Sequence, residues 1–139
     1  MLVDTHCHVY SEYYQNIEEV VARAKATGVG MIVVNGCNGK SNKEVLELVA
    51  KYDIVYGAIG IQPEEVEMAT EEDIKFIEEH INDDKVVALG EIGFDFHWDT
   101  TTKEEQLYAF KRQLDIAAKH KKPISIHSRD AAQITFDIL

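Results

Sequence analysis

Short runs of apolar, mostly β-branched residues alternate with longer amphipathic segments along the whole chain. Such apolar runs of about four to eight residues predict buried strands. The predicted strands are Leu2 to Val9, Met31 to Asn35, Ile54 to Ile59, Val86 to Ile92 and Ile124 to His127. Because helical segments of roughly ten residues or more separate these strands, we expect parallel pairing through right-handed crossovers.

Two helix starts are marked by capping boxes, since Thr70 and Thr102 are each followed three residues later by an acidic residue. Gly28 lies where a helix C-terminal glycine is expected, and Lys121 to Pro123 ends the helix that begins after Thr102. The apolar stripes that face the sheet are Ile17, Val20, Val21 and Ala24 in an early helix, and Leu107, Phe110, Leu114 and Ala117 in the late one.

About five strand-helix units in succession are typical of either an open doubly wound sheet or the opening portion of a (β/α)8 barrel. The pattern alone does not choose between these two α/β folds. No G-x-G-x-x-G follows the first strand and the sequence has no P-loop, which disfavours the nucleotide-binding doubly wound proteins. Neither a linker nor a low-complexity stretch interrupts the chain, so residues 1–139 are expected to form a single domain.

Composition narrows the function classes. The chain of 139 residues is 45% hydrophobic and 28% charged, as in globular proteins, and its net charge of −11 argues against a DNA-wrapping module. A metal-assisted phosphoesterase remains compatible with this charge, because bound cations hold phosphate locally. No apolar stretch approaches the roughly 20 residues of a membrane span, and two cysteines are too few for a disulfide framework. We therefore expect a cytoplasmic protein without a membrane partner.

The first strand carries the clearest chemical signal. Asp4, His6 and His8 occupy alternate positions, so their side chains share one face of the strand. Two converging imidazoles beside carboxylates suit zinc and other divalent metals. Taken alone, an H-x-H pair is also compatible with a solvated strand end or a hydrogen-bonded pair.

Two further candidate ligands follow later strands. Glu91 lies in the segment Ala88 to Gly93, and His127 closes the last predicted strand. In a β/α barrel the C-terminal ends of the strands meet at one mouth, so these two residues are expected to join His6 and His8 there. Individually, Glu91 is compatible with a supporting or surface carboxylate and His127 with a core histidine; together the four residues favour metal ligation.

The remaining histidines are weaker candidates. His80 and His120 lie towards helix ends and are interpreted as structural. His97 lies on a loop above the proposed mouth, where contact with substrate and an ordinary loop position are both open. Asp95 is equally compatible with orienting a metal ligand and with capping its own loop.

Three segments resemble successive motifs of the TatD-like deoxyribonucleases. They are Val3 to His8, Gly90 to Asp95 and Ile126 to Arg129, and the helix between the last two carries a similar pattern. That pattern consists of Gln106, Phe110 and Gln113, followed by Lys122, Pro123 and Ile124. The resemblance spans essentially the whole chain in the expected order.

The resemblance implies a TIM-type barrel of the amidohydrolase kind with one or two divalent ions, Mg, Zn or Mn. His6 and His8 would bind one ion, Glu91 would bridge in a catalytic role, and His127 would bind the other. The implied substrate is DNA or another phosphodiester, hydrolysed by water whose pKa the metal lowers towards about 7. Arg129 would suit a substrate phosphate, with a surface salt bridge as the equal alternative.

Two departures from the family pattern modify these expectations. Ile61 to Glu65 stands where the family usually has a His-Pro-His-like segment, which puts the substrate contacts of that loop in doubt. The family's later histidine and aspartate have no counterpart in these 139 residues, whereas a whole barrel takes about 250. We therefore expect a truncated barrel with impaired activity and with open sheet edges that favour self-association.

Two other readings stay open from the sequence. The same barrel and metal centre would also serve an amide, lactone or small-ester hydrolase, because a fold does not fix a substrate. A non-catalytic half-barrel that assembles with another chain is the alternative of a different class.

Overall fold

The computed structural model describes residues 1–98 and 101–139. Its strands are β1 (Leu2–Cys7), β2 (Val29–Asn35), β3 (Val55–Ile59), β4 (Val86–Asp95) and β5 (Ile124–Arg129). Its helices are α1 (Ile17–Ala26), α2 (Gly39–Lys51), α3 (Glu71–His80), α4 (Lys103–His120) and α5 (Ala132–Ile138), with a 3-10 helix at Pro63–Met68.

The five strands form one parallel sheet in the order β1-β2-β3-β4-β5. This order confirms the predicted β/α-barrel arrangement. It excludes the doubly wound alternative, in which the strand order reverses at a switch point. Because every strand runs the same way, the C-terminal ends of all five strands lie along one edge of the sheet.

The predicted helix boundaries are confirmed where capping residues specify them. The Thr70 and Thr102 side chains accept the backbone N–H of the acid three residues on, and each acid accepts the N–H of its threonine. Gly28 follows α1 with φ +89°, and Lys121 ends α4 in the left-handed conformation. A third capping box, between Asn38 and Ser41, begins α2 and was not predicted.

The helices pack their apolar sides on the sheet, α2 mainly against β3 and α4 against β4. Val45 of α2, Ile77 of α3 and Phe110 of α4 are essentially inaccessible to solvent, as are Ile59 of β3 and Leu89 of β4. The edge strand β1 is much more open, with Leu2 and Val3 at 63% and 46% exposure. Of the helices in residues 1–98 and 101–139, none combines the length and apolar character that crossing a bilayer requires.

Candidate metal centre

Three side chains converge at the C-terminal edge of the sheet, where β1 ends at Cys7. The Nε2 atoms of His6 and His8 are 3.2 Å apart. Glu91 Oε2 lies 3.5 Å from His6 Nε2 and 3.3 Å from His8 Nε2. The strand β1 ends at Cys7 rather than at the predicted Val9, so His6 lies in the strand, His8 directly follows its end, and β4 brings the carboxylate to both imidazoles.

The spacing of these three atoms matches that of ligands around a single ion. Two atoms that are each about 2.1 Å from one cation are separated by about 3.0 to 3.4 Å in octahedral and tetrahedral arrangements. The observed separations of 3.2, 3.3 and 3.5 Å lie close to that range. The two imidazole nitrogens suit zinc, and the carboxylate oxygen also suits manganese.

The Nδ1 atoms of the two histidines, on the side of each ring away from the cluster, also have polar partners. His8 Nδ1 donates to the backbone carbonyl of Asn35 at 2.9 Å, and His6 Nδ1 lies 3.1 Å from Ser125 Oγ. Because a carbonyl only accepts, His8 Nδ1 carries a proton, and Nε2, which faces Glu91, is the nitrogen available to a cation. Ligating histidines in metal proteins are oriented by the same kind of contact.

The second oxygen of Glu91 reaches the remaining predicted ligand. Glu91 Oε1 is 3.0 Å from His127 Nδ1, and His127 Nε2 is 2.7 Å from Asp95 Oδ2. His127 therefore lies outside the three-atom cluster but is joined to it through the same carboxylate. Glu91 and His127 lie within β4 and β5 rather than at their last residues, because β4 extends to Asp95 and β5 to Arg129.

The charges of the pocket favour an added positive charge. Burial raises the pKa of Glu91, but hydrogen bonds from His127 and His8 outweigh it and set the value at about 2. Hydrogen bonds to Cys37 and Glu91 raise the pKa of His8 to about 10. The pKa of His127 is raised by its hydrogen bond to Glu91, against burial, and further by Asp95. Without a metal, protonated imidazoles neutralise the carboxylates of this pocket. A divalent cation bound among these groups would supply that positive charge instead.

The local backbone explains how Glu91 and Asp95 reach the site. The Glu91 N–H donates to the Gly36 carbonyl at 2.9 Å, which anchors the residue between strands. Gly93 has φ +145°, and a Cβ built there would lie 2.0 Å from the carbonyl oxygen of His127. Only glycine therefore allows β4 and β5 to approach this closely between Glu91 and Asp95.

A buried glutamine fixes the end of β4. The Gln106 amide accepts the Asp95 N–H at 2.9 Å and donates to the Asp95 carbonyl at 2.8 Å, as a neighbouring strand would. Asp95 is 1% exposed, and its side chain both binds His127 and accepts the His97 N–H at 2.9 Å. Asp95 thus contacts the ring of His127, a candidate ligand, and caps its own loop.

The other predicted residues lie further from the cluster. Arg129 is exposed, two residues beyond His127 on β5, and its guanidinium carbon is 5.5 Å from the Trp98 ring centroid. His97 is 3.4 Å from an Asp130 carboxylate oxygen. His80 and His120 are the last residues of α3 and α4, at the helix ends where the sequence placed them.

Sequence reasoning missed three groups that shape the site. The Asn35 carbonyl and the Ser125 hydroxyl hold the two imidazoles. The one available signal was Ser125, a polar residue between Ile124 and Ile126 in a predicted strand. Glu64, from the segment that departs from the family pattern, lies close enough for its pKa to respond to the site. Burial and the charge of Asp95 raise that pKa, while the positive charges of His127 and Arg129 lower it.

Comparison with known proteins assigns this chain to a family. A family model described as TatD related DNase matches residues 3–139. The "Uncharacterized metal-dependent hydrolase YabD" of Bacillus subtilis is 42% identical over 140 residues, which cover 100% of this chain and 55% of that protein. The "3'-5' ssDNA/RNA exonuclease TatD" of Pectobacterium carotovorum is 35% identical over 122 residues, covering 87% and 47%.

A solved structure gives the same result at the level of the fold. The crystal structure of YJJV, a TatD homolog from Escherichia coli K12, superposes with a TM-score of 0.89 at 30% identity. The match covers 96% of this chain and 52% of that one, so the chain spans about half the length of the relatives it matches. With its motifs, strand order and family match in agreement, this chain belongs to the TatD-related DNase family.

Proposed function

We propose that this chain supplies the metal-binding residues of a hydrolase that cleaves phosphodiester bonds in nucleic acid, with DNA as the principal substrate. The observation that carries the proposal is the triangle formed by His6 Nε2, His8 Nε2 and Glu91 Oε2, with sides of 3.2, 3.3 and 3.5 Å. A relative's name, 3'-5' ssDNA/RNA exonuclease, supports the substrate class.

His6 and His8 would hold one divalent ion, zinc in preference to magnesium, because imidazole suits zinc better. Glu91 would bridge towards His127, which would bind a second ion. When bound, such a cation lowers the pKa of a coordinated water and so makes hydroxide available at neutral pH.

The protein residues have separate tasks around that chemistry. Glu91, with a pKa of about 2, stays ionised at neutral pH and holds both halves of the centre together. Asp95 fixes the ring of His127 through its 2.7 Å hydrogen bond. Arg129 would bind a phosphate of the substrate, since its planar guanidinium matches two phosphate oxygens.

Metal content and hydrolysis together test this proposal. The wild-type chain is expected to retain zinc or manganese after dialysis, and His6→Ala/His8→Ala is expected to lose it. The control is His80→Ala/His97→Ala, which removes two histidines outside the cluster. Equal, negligible metal in the wild type and the site variant would contradict the proposal.

A panel of substrates distinguishes phosphodiester hydrolysis from amide and lactone hydrolysis. Single-stranded DNA, RNA, a lactone and an amide substrate are incubated with metal-loaded protein, with and without a chelator. Chelator-sensitive cleavage of DNA, weak in this chain, is the expected result. Amide or lactone hydrolysis without phosphodiesterase activity would refute the substrate class, and Arg129→Lys with an unchanged KM for DNA would refute the phosphate role.

We further propose that residues 1–139 fold as one domain that self-associates through β1 and β5. Both strands have one unpaired edge in this sheet, and β1 exposes Leu2 and Val3. Unpaired strand edges favour pairing with another chain. Sedimentation over a range of concentrations should show a dimer, and a stable monomer throughout would contradict self-association; two separate unfolding transitions would contradict the single domain.

A further inference from the structure

Trp98, the one tryptophan of the chain, lies beside the proposed metal centre. It follows the end of β4 by three residues and is 49% exposed. The ring centroids of Trp98 and His97 are 4.5 Å apart, with the two planes at 89°. The His97 N–H donates to Asp95 at 2.9 Å, and the His97 ring lies 3.4 Å from an Asp130 carboxylate oxygen. The exposed indole is therefore held next to a residue that contacts His127.

The guanidinium of Arg129 connects Trp98 with the phosphate position of the proposed function. Arg129 pairs with Asp95 across β4 and β5, two residues beyond His127. Its guanidinium carbon is 5.5 Å from the centroid of the Trp98 ring, within the range of a cation–π contact. A phosphate held by Arg129 would thus lie beside an exposed aromatic ring.

The cleft beside Trp98 has room for a nucleobase, whereas its charges repel phosphate. Its volume is about 510 Å³, within the range of small-ligand sites. Among the described residues that line it, Lys103 is the single basic one, and Glu67, Asp95 and Glu105 are acidic. A neutral, flat base suits this cleft, and the phosphate is favoured at Arg129.

We propose that Trp98 is a stacking platform for one unpaired nucleobase of the substrate, next to the phosphate at Arg129. Stacking on an aromatic ring needs no net positive charge, so it suits a chain whose net charge is −11. The faces of a base in a duplex are covered by its neighbours, so the platform selects single-stranded nucleic acid over duplex. This inference rests on the proposed function, because Arg129 is there the phosphate-binding residue.

Tyr108 and its arginine are a matched control for this pair. Tyr108 is 64% exposed, and the guanidinium carbon of Arg112 lies 5.6 Å from its ring centroid. Tyr108 lies in α4, however, and Arg112 is held by Glu71 in two hydrogen bonds of 2.6 and 2.9 Å. The two aromatic rings thus have an arginine at a similar distance, but of the two only Trp98 lies beside the metal centre.

The fluorescence of Trp98 measures stacking directly, because no other tryptophan contributes. The full chain is titrated with a single-stranded oligothymidylate whose phosphorothioate linkages resist hydrolysis, once with zinc and once with a chelator. An abasic oligonucleotide of the same length and linkages and a fully paired duplex are the comparisons. We expect strong quenching by the intact single strand and much weaker quenching by the other two.

Substitutions measure what stacking contributes to binding, by fluorescence anisotropy of a labelled oligonucleotide. Trp98→Ala should bind the single strand about tenfold more weakly, in line with the loss of one stacked base. Trp98→Phe, which keeps an aromatic face, should retain most of the affinity, and Tyr108→Ala should bind like the wild type. The abasic oligonucleotide should bind the wild type and Trp98→Ala equally. This abasic comparison with the wild type requires no change in the protein.

Quenching that does not depend on the bases would overturn the inference, as would wild-type affinity in Trp98→Ala. An equal loss of affinity in Tyr108→Ala would also overturn it, because any exposed aromatic ring would then contribute. Tryptophan emission that changes with protein concentration alone would place Trp98 in self-association instead. Base-dependent quenching in a chain that binds no metal and cleaves no phosphodiester would contradict the proposed function, yet support Trp98 as a base-binding residue.

Discussion

Two buried glutamines on α4 allow a controlled test of how the metal centre is held. Gln106 binds the backbone N–H and carbonyl of Asp95 at 2.9 and 2.8 Å. Gln113, two turns further along, binds the N–H and carbonyl of Ile61 at 2.7 and 3.0 Å. Both side chains are 1% exposed. They therefore make the same pair of contacts, but only Gln106 holds a residue that touches the centre.

Replacing either glutamine by leucine leaves one N–H and one carbonyl buried without a partner. Each such group costs about 1 to 3 kcal/mol, and the apolar side chain offsets part of this loss. We expect Gln106→Leu and Gln113→Leu each to lower the free energy of unfolding by about 3 kcal/mol. In Gln106→Leu alone, the end of β4 should also loosen, so Asp95 no longer fixes His127 and zinc affinity falls about tenfold.

Urea denaturation of the metal-free protein measures the first effect, and zinc competition at a temperature where both variants are folded measures the second. Equal losses of stability with unequal zinc affinities would support the reasoning. Equal zinc affinities in the two variants would refute the positioning role of Gln106. If either variant were as stable as the wild type, the cost assigned to the unpaired backbone N–H and carbonyl would be refuted.

Three further outcomes are expected. Glu91→Gln should lower the zinc content to that of His6→Ala/His8→Ala. In the metal-free protein the same change should bring the raised pKa of His127 down towards its usual value, as measured by NMR titration. An unchanged His127 pKa would contradict the pairing of His127 with Glu91. Gly93→Ala should destabilise the protein by at least about 3 kcal/mol, because backbone strain adds to a clash between the new Cβ and the His127 carbonyl oxygen at 2.0 Å. In Gly28→Ala the new Cβ has no atom within 4 Å, so only the strain remains, and denaturation should show a loss of about 1 to 2 kcal/mol. Thr102→Ala and Thr70→Ala should each lose about 1 kcal/mol of stability in the same assay, and a neutral Thr102→Ala would refute its capping role.

Much of the architecture could be predicted because its determinants are local. Apolar runs specify the strands, and a threonine with an acid three residues later specifies the start of α3 and of α4. The spacing of two residues was sufficient to predict that His6 and His8 lie together at the end of β1, and their Nε2 atoms are 3.2 Å apart.

The remaining features depend on register and on backbone groups. The β4–β5 pairing shifts between Leu89 and Ile92, on either side of Glu91, and no residue type in the sequence predicts that irregularity. A backbone carbonyl such as that of Asn35 is present at every position, so its contact with His8 has no sequence signature. Glu64 was seen only as a departure from a family pattern, although its position makes its carboxyl respond to Asp95.

The central claim is that His6, His8 and Glu91 bind one divalent cation. The most direct test is a crystal of the protein grown with zinc, with anomalous diffraction recorded on both sides of the zinc absorption edge. The account predicts a strong peak about 2.0 to 2.2 Å from His6 Nε2, His8 Nε2 and a Glu91 oxygen. Ordered side chains at these positions with no peak between them, under conditions where zinc is in excess, would contradict it.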